Sequence, residues 1–274
     1  MTATTQTSLP GQVLRLNRSY LERGFLVRFA PDGDSLHWQG GASTYAGASC
    51  PVCRMPLLLI WQIDCGAPEL ERLPGTLFEC RLVLPLFYCF CQCTTLSYQV
   101  VGSDRIHAIE TPDPDPKQAP PYPDFPRTLD RQAIALVPIP TALNNLFVLL
   151  QEIGSEEWMT DGDLAMMAKW LGRDVEDRPD VWRHQFGGAP YLVGGHEELL
   201  CPNLSCERSR PWVRNEIRFA MKELAVIHND PAHGLPLFNS MPHALRGGDI
   251  DHWTQLVYHI CDECLTLRVS MRRG

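Results

Sequence analysis

The sequence predicts an α+β fold of two β-rich modules, related by internal duplication and joined by a proline-rich linker and a helical pair. Three observations carry this expectation. Eight cysteines fall into two successive quartets, Cys50, Cys53, Cys91 and Cys93, then Cys201, Cys206, Cys261 and Cys264. One order of features occurs twice along the chain. The stretch between the copies, Thr111 to Pro126, holds seven prolines in sixteen residues.

The expected organisation follows in chain order. Residues 1–11 are polar, with neither a basic start nor an apolar run after it, and are expected to be a disordered leader and not a secretory signal. The first module spans residues 12–110 and the second residues 180–274. In the first, His37-Trp-Gln-Gly-Gly-Ala42 leads to Cys50-Pro-Val-Cys53, and in the second, His184-Gln-Phe-Gly-Gly-Ala189 leads to Cys201 and Cys206. An aliphatic segment ending in aspartate comes next in each, Met55 to Asp64 and Met221 to Asp230. Leu86-Phe-Tyr88 then precedes Cys91 by the interval at which Leu256-Val-Tyr258 precedes Cys261. Single matches of this kind arise by chance; the shared order points to a duplicated module.

Residues 111–179 form the expected connector. Its prolines lack the amide donor that a central strand or helix interior needs, and they favour extended conformation. Beyond them, Leu143, Leu146, Phe147, Leu150 and Ile153 recur at helical period, and Gly154 suits the end of that helix. A second helix is expected from Asp161 to Leu171, capped by Thr160 or Asp161 and closed by Gly172.

Each quartet has the makings of a tetrahedral metal site. A tight turn aims two thiolates at one centre, and strand pairing brings up a second pair. Four sulfurs satisfy zinc completely and leave no open position for chemistry, so two zinc ions per chain in structural roles are expected. In the second module the four ligands are the cysteines at hand. In the first, Cys89, Cys91 and Cys93 alternate, and all three share a face if the segment is extended. Equating Tyr88 with Tyr258 selects Cys91 and Cys93; Cys89 with Cys91 is the competing pair. Cys65 and Cys80 have no counterpart in the repeat and read as small buried apolar residues. Eleven cysteines cannot all pair within one chain, which disfavours a disulfide framework. A thioredoxin-like role for Cys50 and Cys53 is also disfavoured, because a strand and not a helix is expected to follow them.

Composition narrows the function. No run approaches the ~18 apolar residues of a membrane span. A cytoplasmic location fits the reduced cysteines. The net charge of −8 lacks the cationic footprint of a nucleic-acid binder and favours a basic protein partner. His37 and His184 precede Gly-Gly turns and are expected to cap or fill them, with a ligand or base role as the alternative. Asp64 and Asp230 fit turn capping. No nucleophile–base pair, phosphate-cradling loop or metalloprotease helix is present in the sequence.

The residues Phe186-Gly-Gly-Ala-Pro190, Leu224 to Asp230, and Gly248-Asp249 before Gln255 to His259 carry a family resemblance. In the first half Gly40-Gly41, Cys50-Pro-Val-Cys53, Met55-Pro-Leu-Leu-Leu59 and Leu86-Phe-Tyr88 carry it. The pattern resembles the bacterial YwqG-like proteins and the eukaryotic programmed-cell-death-protein-2-like chaperones, over both modules but not the connector. The resemblance implies a non-enzymatic, duplicated protein-binding fold that neutralises a toxin domain or escorts a ribosomal client. The chain departs from that pattern in the Cys-x-Cys of its first module and the wide Cys201–Cys206 spacing of its second. The expected function is therefore a zinc-stabilised protein that sequesters or escorts a basic polypeptide. The alternatives are a metal-dependent hydrolase using His37 or His184 and, less favoured, a zinc-ribbon nucleic-acid binder.

Overall fold

The structure is a computed structural model. It describes residues 21–31, 35–70, 82–89, 91, 95–109, 128–146, 160–163, 165, 169, 184–190, 192, 197, 199–210, 221–228 and 255–272. The leader, the proline run, Cys80, Cys93, Asp230 and Gly248-Asp249 lie outside these residues.

Among the described residues eleven strands form one curled, antiparallel sheet: β1 (Leu21–Phe29), β2 (His37–Gln39), β3 (Leu58–Asp64), β4 (Val83–Tyr88), β5 (Thr95–Val100), β6 (Ile106–Ile109), β7 (Gln132–Pro138), β8 (Gln185–Gly188), β9 (Lys222–His228), β10 (Gln255–Cys261) and β11 (Thr266–Arg272). Their order across the sheet is β4-β3-β2-β7-β1-β8-β9-β10-β11-β5-β6. Apolar strands such as Leu58-Leu-Ile-Trp61 bury side chains on both faces, which marks them as central. The curl brings β4 opposite β5. There the Tyr98 hydroxyl donates to the Pro85 carbonyl and accepts from the Phe87 amide, both at 2.9 Å. Tyr45, Phe87 and Tyr98 stack edge to face inside the curl, with ring centres 5.7 Å apart.

Three strands flank the β7/β1 pair in matching order on each side, β2, β3 and β4 on one and β8, β9 and β10 on the other, and β11, β5 and β6 extend the second side. The two His-x-x-Gly-Gly blocks fall on the equivalent strands β2 and β8, and their backbones match. Gly40, Gly41, Gly187 and Gly188 all have φ between 63 and 91°, a region that side chains with a Cβ rarely enter. A Cβ on Gly40 would lie 2.4 Å from the Asp130 carbonyl oxygen, and one on Gly188 2.5 Å from Asn144 Oδ1.

The strands of the two expected modules share this one sheet, and they interlock. β1 pairs with β8, while β2 pairs with β7. β5 pairs with β11. The connector also contributes more than a linker and helices, since it supplies β7 to the centre of the sheet. Residues 141–146 are helical, as are 161–163, 165 and 169. Thr160 caps the second of these stretches: its Oγ1 accepts the Asp163 amide at 3.2 Å, and Asp163 Oδ2 accepts the Thr160 amide at 2.9 Å. Among the described residues no helix is long and apolar enough to cross a membrane.

Candidate metal centres

The first centre forms where the start of β3 meets the end of β4, in register at Leu58 and Tyr88. Before β3 the chain makes a tight turn, with the Cys50 amide donating to Met55 O at 2.8 Å and the Arg54 amide to Cys50 O at 2.9 Å. The turn closes because Arg54 adopts φ 64°, a left-handed conformation unusual for a residue with a side chain. Cys50 and Cys53 thereby face Cys89 and Cys91 at the end of β4. Cys50 Sγ lies 3.6 Å from Cys91 Sγ, and Cys53 Sγ lies 3.5 Å from Cys89 Sγ.

The second centre occupies the matching end of β10. There Cys261 closes the strand, and Cys261-Asp-Glu-Cys264-Leu265 turns into β11. The turn repeats the first in detail: the Leu265 amide donates to Cys261 O at 2.9 Å, and Leu265 has φ 56°. Cys201 and Cys206 come from the loop ahead of β9, with Cys201 Sγ 3.5 Å from Cys264 Sγ and Cys206 Sγ 3.8 Å from Cys261 Sγ.

In each set all four sulfurs lie within 4.8 Å of one another. Four thiolates about 2.3 Å from a central zinc stand about 3.8 Å apart along the edges of a tetrahedron. The observed separations match that geometry and are far longer than a disulfide bond of about 2.0 Å. The donor set, soft sulfur in a closed tetrahedral array, suits zinc and leaves no vacant position. Among the described residues neither set includes a histidine or a carboxylate.

Electrostatics in the metal-free state point the same way. Burial pushes the Cys53 thiol up to about 11, and burial likewise pushes Cys206 up to about 11. Hydrogen bonding to Cys261, together with burial, pushes Cys201 up. Cys261 is drawn down, to about 5, chiefly by the hydrogen bond from Cys201 and with help from the Glu263 and Cys264 amides. Cys53, Cys201 and Cys206 thus hold their protons, and a dication at either centre would displace them, so metal binding is coupled to proton release.

Around the second centre, Arg208 joins the two ligand-bearing segments. Its Nε donates to Glu263 at 2.8 Å, and its Nη1 contacts Asp262. Lys222 meets the other Asp262 oxygen at 2.9 Å, so cations hold the Asp262 carboxyl below the usual range despite burial that would raise it. Thr266 Oγ1 lies 3.0 Å from Cys264 Sγ. Neither Arg208 nor Thr266 was legible as a supporting residue, since both act across strands that only the fold brings together.

Of the eight cysteines expected as ligands, the structure gathers Cys50, Cys53 and Cys91 in one set and Cys201, Cys206, Cys261 and Cys264 in the other. The fourth sulfur of the first set is Cys89, the competing choice. Cys93 lies outside the described residues. Counting from the tyrosines selects differently because the strand pairing sets them one residue out of step: Tyr88 faces Leu58 in β3, whereas Tyr258 faces Ala225, the counterpart of Leu59, in β9. Cys65 is fully buried, its thiol pushed up to about 12 by that burial, and stands apart from both sets.

The histidines are built into the sheet. His37 Nδ1 accepts the Asp64 amide at 3.1 Å, which puts the ring proton on Nε2, 2.9 Å from Glu69. Burial lowers the His37 pKa below 6.5, the hydrogen bond to Glu69 opposing it. Asp64 Oδ1 in turn accepts the Gly66 amide at 2.8 Å and caps the turn. His184 is buried with its ring edge-on to Trp61, centres 6.1 Å apart.

Comparison of the chain with family models, with curated proteins and with solved structures finds no match.

Proposed function

We propose that this chain is a binding protein, not an enzyme, in which two structural zinc ions hold a β scaffold that sequesters or escorts a basic polypeptide. The observation that carries this reading is the closure of both centres. Each offers four sulfurs at tetrahedral spacing and no position for water or substrate. Zinc catalysis needs such a position, so closed sites argue for scaffolding. The acidic balance of the chain favours a basic partner. The YwqG-like resemblance implies the same class of function, with a toxin domain or a ribosomal client as the partner. The duplication read from the sequence is supported by the matching strand order on the two sides of β7/β1 and by the matched Gly-Gly backbones.

Metal analysis of protein purified without chelator should find about two zinc per chain, and absorption at the zinc edge should find four sulfurs at about 2.3 Å. A shell containing nitrogen and water would favour the hydrolase reading using His37 or His184. Metal-free protein would overturn the proposal. Co-purification from the native host should then recover a basic polypeptide whose binding weakens with salt.

A further inference from the structure

We propose that the loop between Cys201 and Cys206 is a contact surface for that partner. Leu204 at its apex would enter an apolar socket bordered by lysine or arginine. The inference rests on the binding-protein reading above and names where on the molecule the contact lies.

The first argument is length. Two residues between cysteines suffice for chelation, as both Cys-x-x-Cys turns demonstrate, but this loop has four. The additional residues ligate nothing, and they carry Leu204, which is 87% exposed, the most exposed large apolar side chain among the described residues. An isolated exposed leucine is ordinary. Here, however, Leu200 (45%) directly precedes Cys201. Val101 (57%) follows Val100, whose amide bonds Leu265 O beside Cys264. Among the described residues, three of the five exposed large apolar side chains thus lie around one metal centre.

The second argument is order. The Ser205 amide donates to Asn203 Oδ1 at 3.0 Å, and the Cys206 amide to Asn203 O at 2.9 Å. Ser209 Oγ donates to Cys206 O at 2.7 Å. With its two ends tied to one metal, the loop gains little further order on binding, so an apolar contact at its apex is not offset by a large entropy loss.

The third argument is charge. Residues 201–210 and 261–266 hold three carboxylates, Glu207, Asp262 and Glu263, against two guanidiniums, Arg208 and Arg210, and Lys222 sets a third cation on Asp262, so these side chains balance. Arg208 is turned onto Asp262 and Glu263. Four thiolates on a divalent ion would leave the cluster with a net charge of about −2, on a chain of net charge −8. The apolar apex therefore stands on an anionic base, which suits a cationic rim and repels a second copy of this acidic chain.

The test uses the full chain in its native host, with photoreactive p-benzoylphenylalanine in place of Leu204 and, as a control, of Phe29 on β1. The expected result is a basic polypeptide cross-linked from position 204 and not from 29. Purified, that polypeptide should bind the Leu204→Asp variant at least tenfold more weakly than wild type and the Leu204→Met variant within about threefold. Both variants should retain wild-type zinc content and thermal transition, which separates lost contact from lost fold. Cross-links only to a second copy, none from position 204, or equal binding by Leu204→Asp would each overturn the inference. If a basic partner binds but ignores Leu204, the contact surface fails and the binding-protein reading stands. If no polypeptide is recovered from any position or by co-purification, both fail.

Discussion

The two metal centres share ligand chemistry and turn geometry but not their packing. Cys50, Cys89 and Cys91 belong to the main apolar core, with Cys53 at its margin, among Leu57, Tyr88 and Tyr98. Cys201, Cys206 and Cys261 instead form a satellite cluster with Leu199 and Met221. The turn with the left-handed residue also changes place: it leads the first quartet, as Cys50-x-x-Cys53, and ends the second, as Cys261-x-x-Cys264. The same tetrahedron, with three of four cysteines buried in each case, is thus part of the main core in one half and a separate small clasp in the other. Stability should follow the packing and not the coordination.

The largest effect is therefore expected at the first centre. Cys91→Ser should halve the zinc content and destabilise the whole sheet by more than about 4 kcal/mol, since it combines loss of a metal with a hydroxyl in the core. Chemical denaturation with metal analysis measures both. Cys261→Ser should also halve the zinc but cost only about 2–3 kcal/mol. Its newly exchanging amides should be confined to the region around residues 199–210 and 261–266. If Cys261→Ser melts as broadly as Cys91→Ser, the contrast between core and clasp is wrong.

The paired histidines sharpen the comparison at the next scale. His37 is held neutral, with a folded pKa below 6.5, so the unfolded chain takes up its proton first. Its contribution is full above about pH 6.5 and is lost as pH falls below that value. His37→Gln should flatten this part of the stability–pH curve relative to wild type, as followed by denaturant midpoints between about pH 7.5 and 5.5. Equal slopes for the two proteins would remove His37 as the titrating group. The smallest effect is expected at the turns. Arg54→Gly relieves a left-handed residue and should be neutral or stabilising by up to about 1 kcal/mol. Leu265→Gly gains the same relief but gives up contacts with the main core, and should come out destabilising. Thermal shifts rank the two.

What the sequence revealed, and what it withheld, divides along local and long-range lines. The short-range features were legible: Cys-x-x-Cys turns, the aliphatic run of β3, and the Gly-Gly blocks whose positive φ only glycine adopts freely. The pairing of one cysteine set with another was legible because each quartet closes within a module. The choice of Cys89 at the first centre turns on the register of β4 against β3, which side-chain type does not encode. β7 was hidden inside a connector dominated by prolines and helical periodicity. Its strand character depends on β1 and β2, its partners at Phe25↔Pro138 and Trp38↔Ala133, 113 and 95 residues upstream.

That placement of β1 has a consequence for the order in which the molecule is made. β1 lies between β7 and β8, so Phe25 meets Pro138 on one side and Phe186 on the other. Both partners leave the ribosome long after β1 does. At roughly 5–20 residues per second, β1 waits about ten seconds or more for its second neighbour. The first four-sulfur set, whose residues 50–91 lie close in the chain, needs no such wait. The nascent protein can close its first centre around β3 and β4 while the middle of its sheet is still missing. β1, made ahead of both its neighbours, is among the last strands to be enclosed.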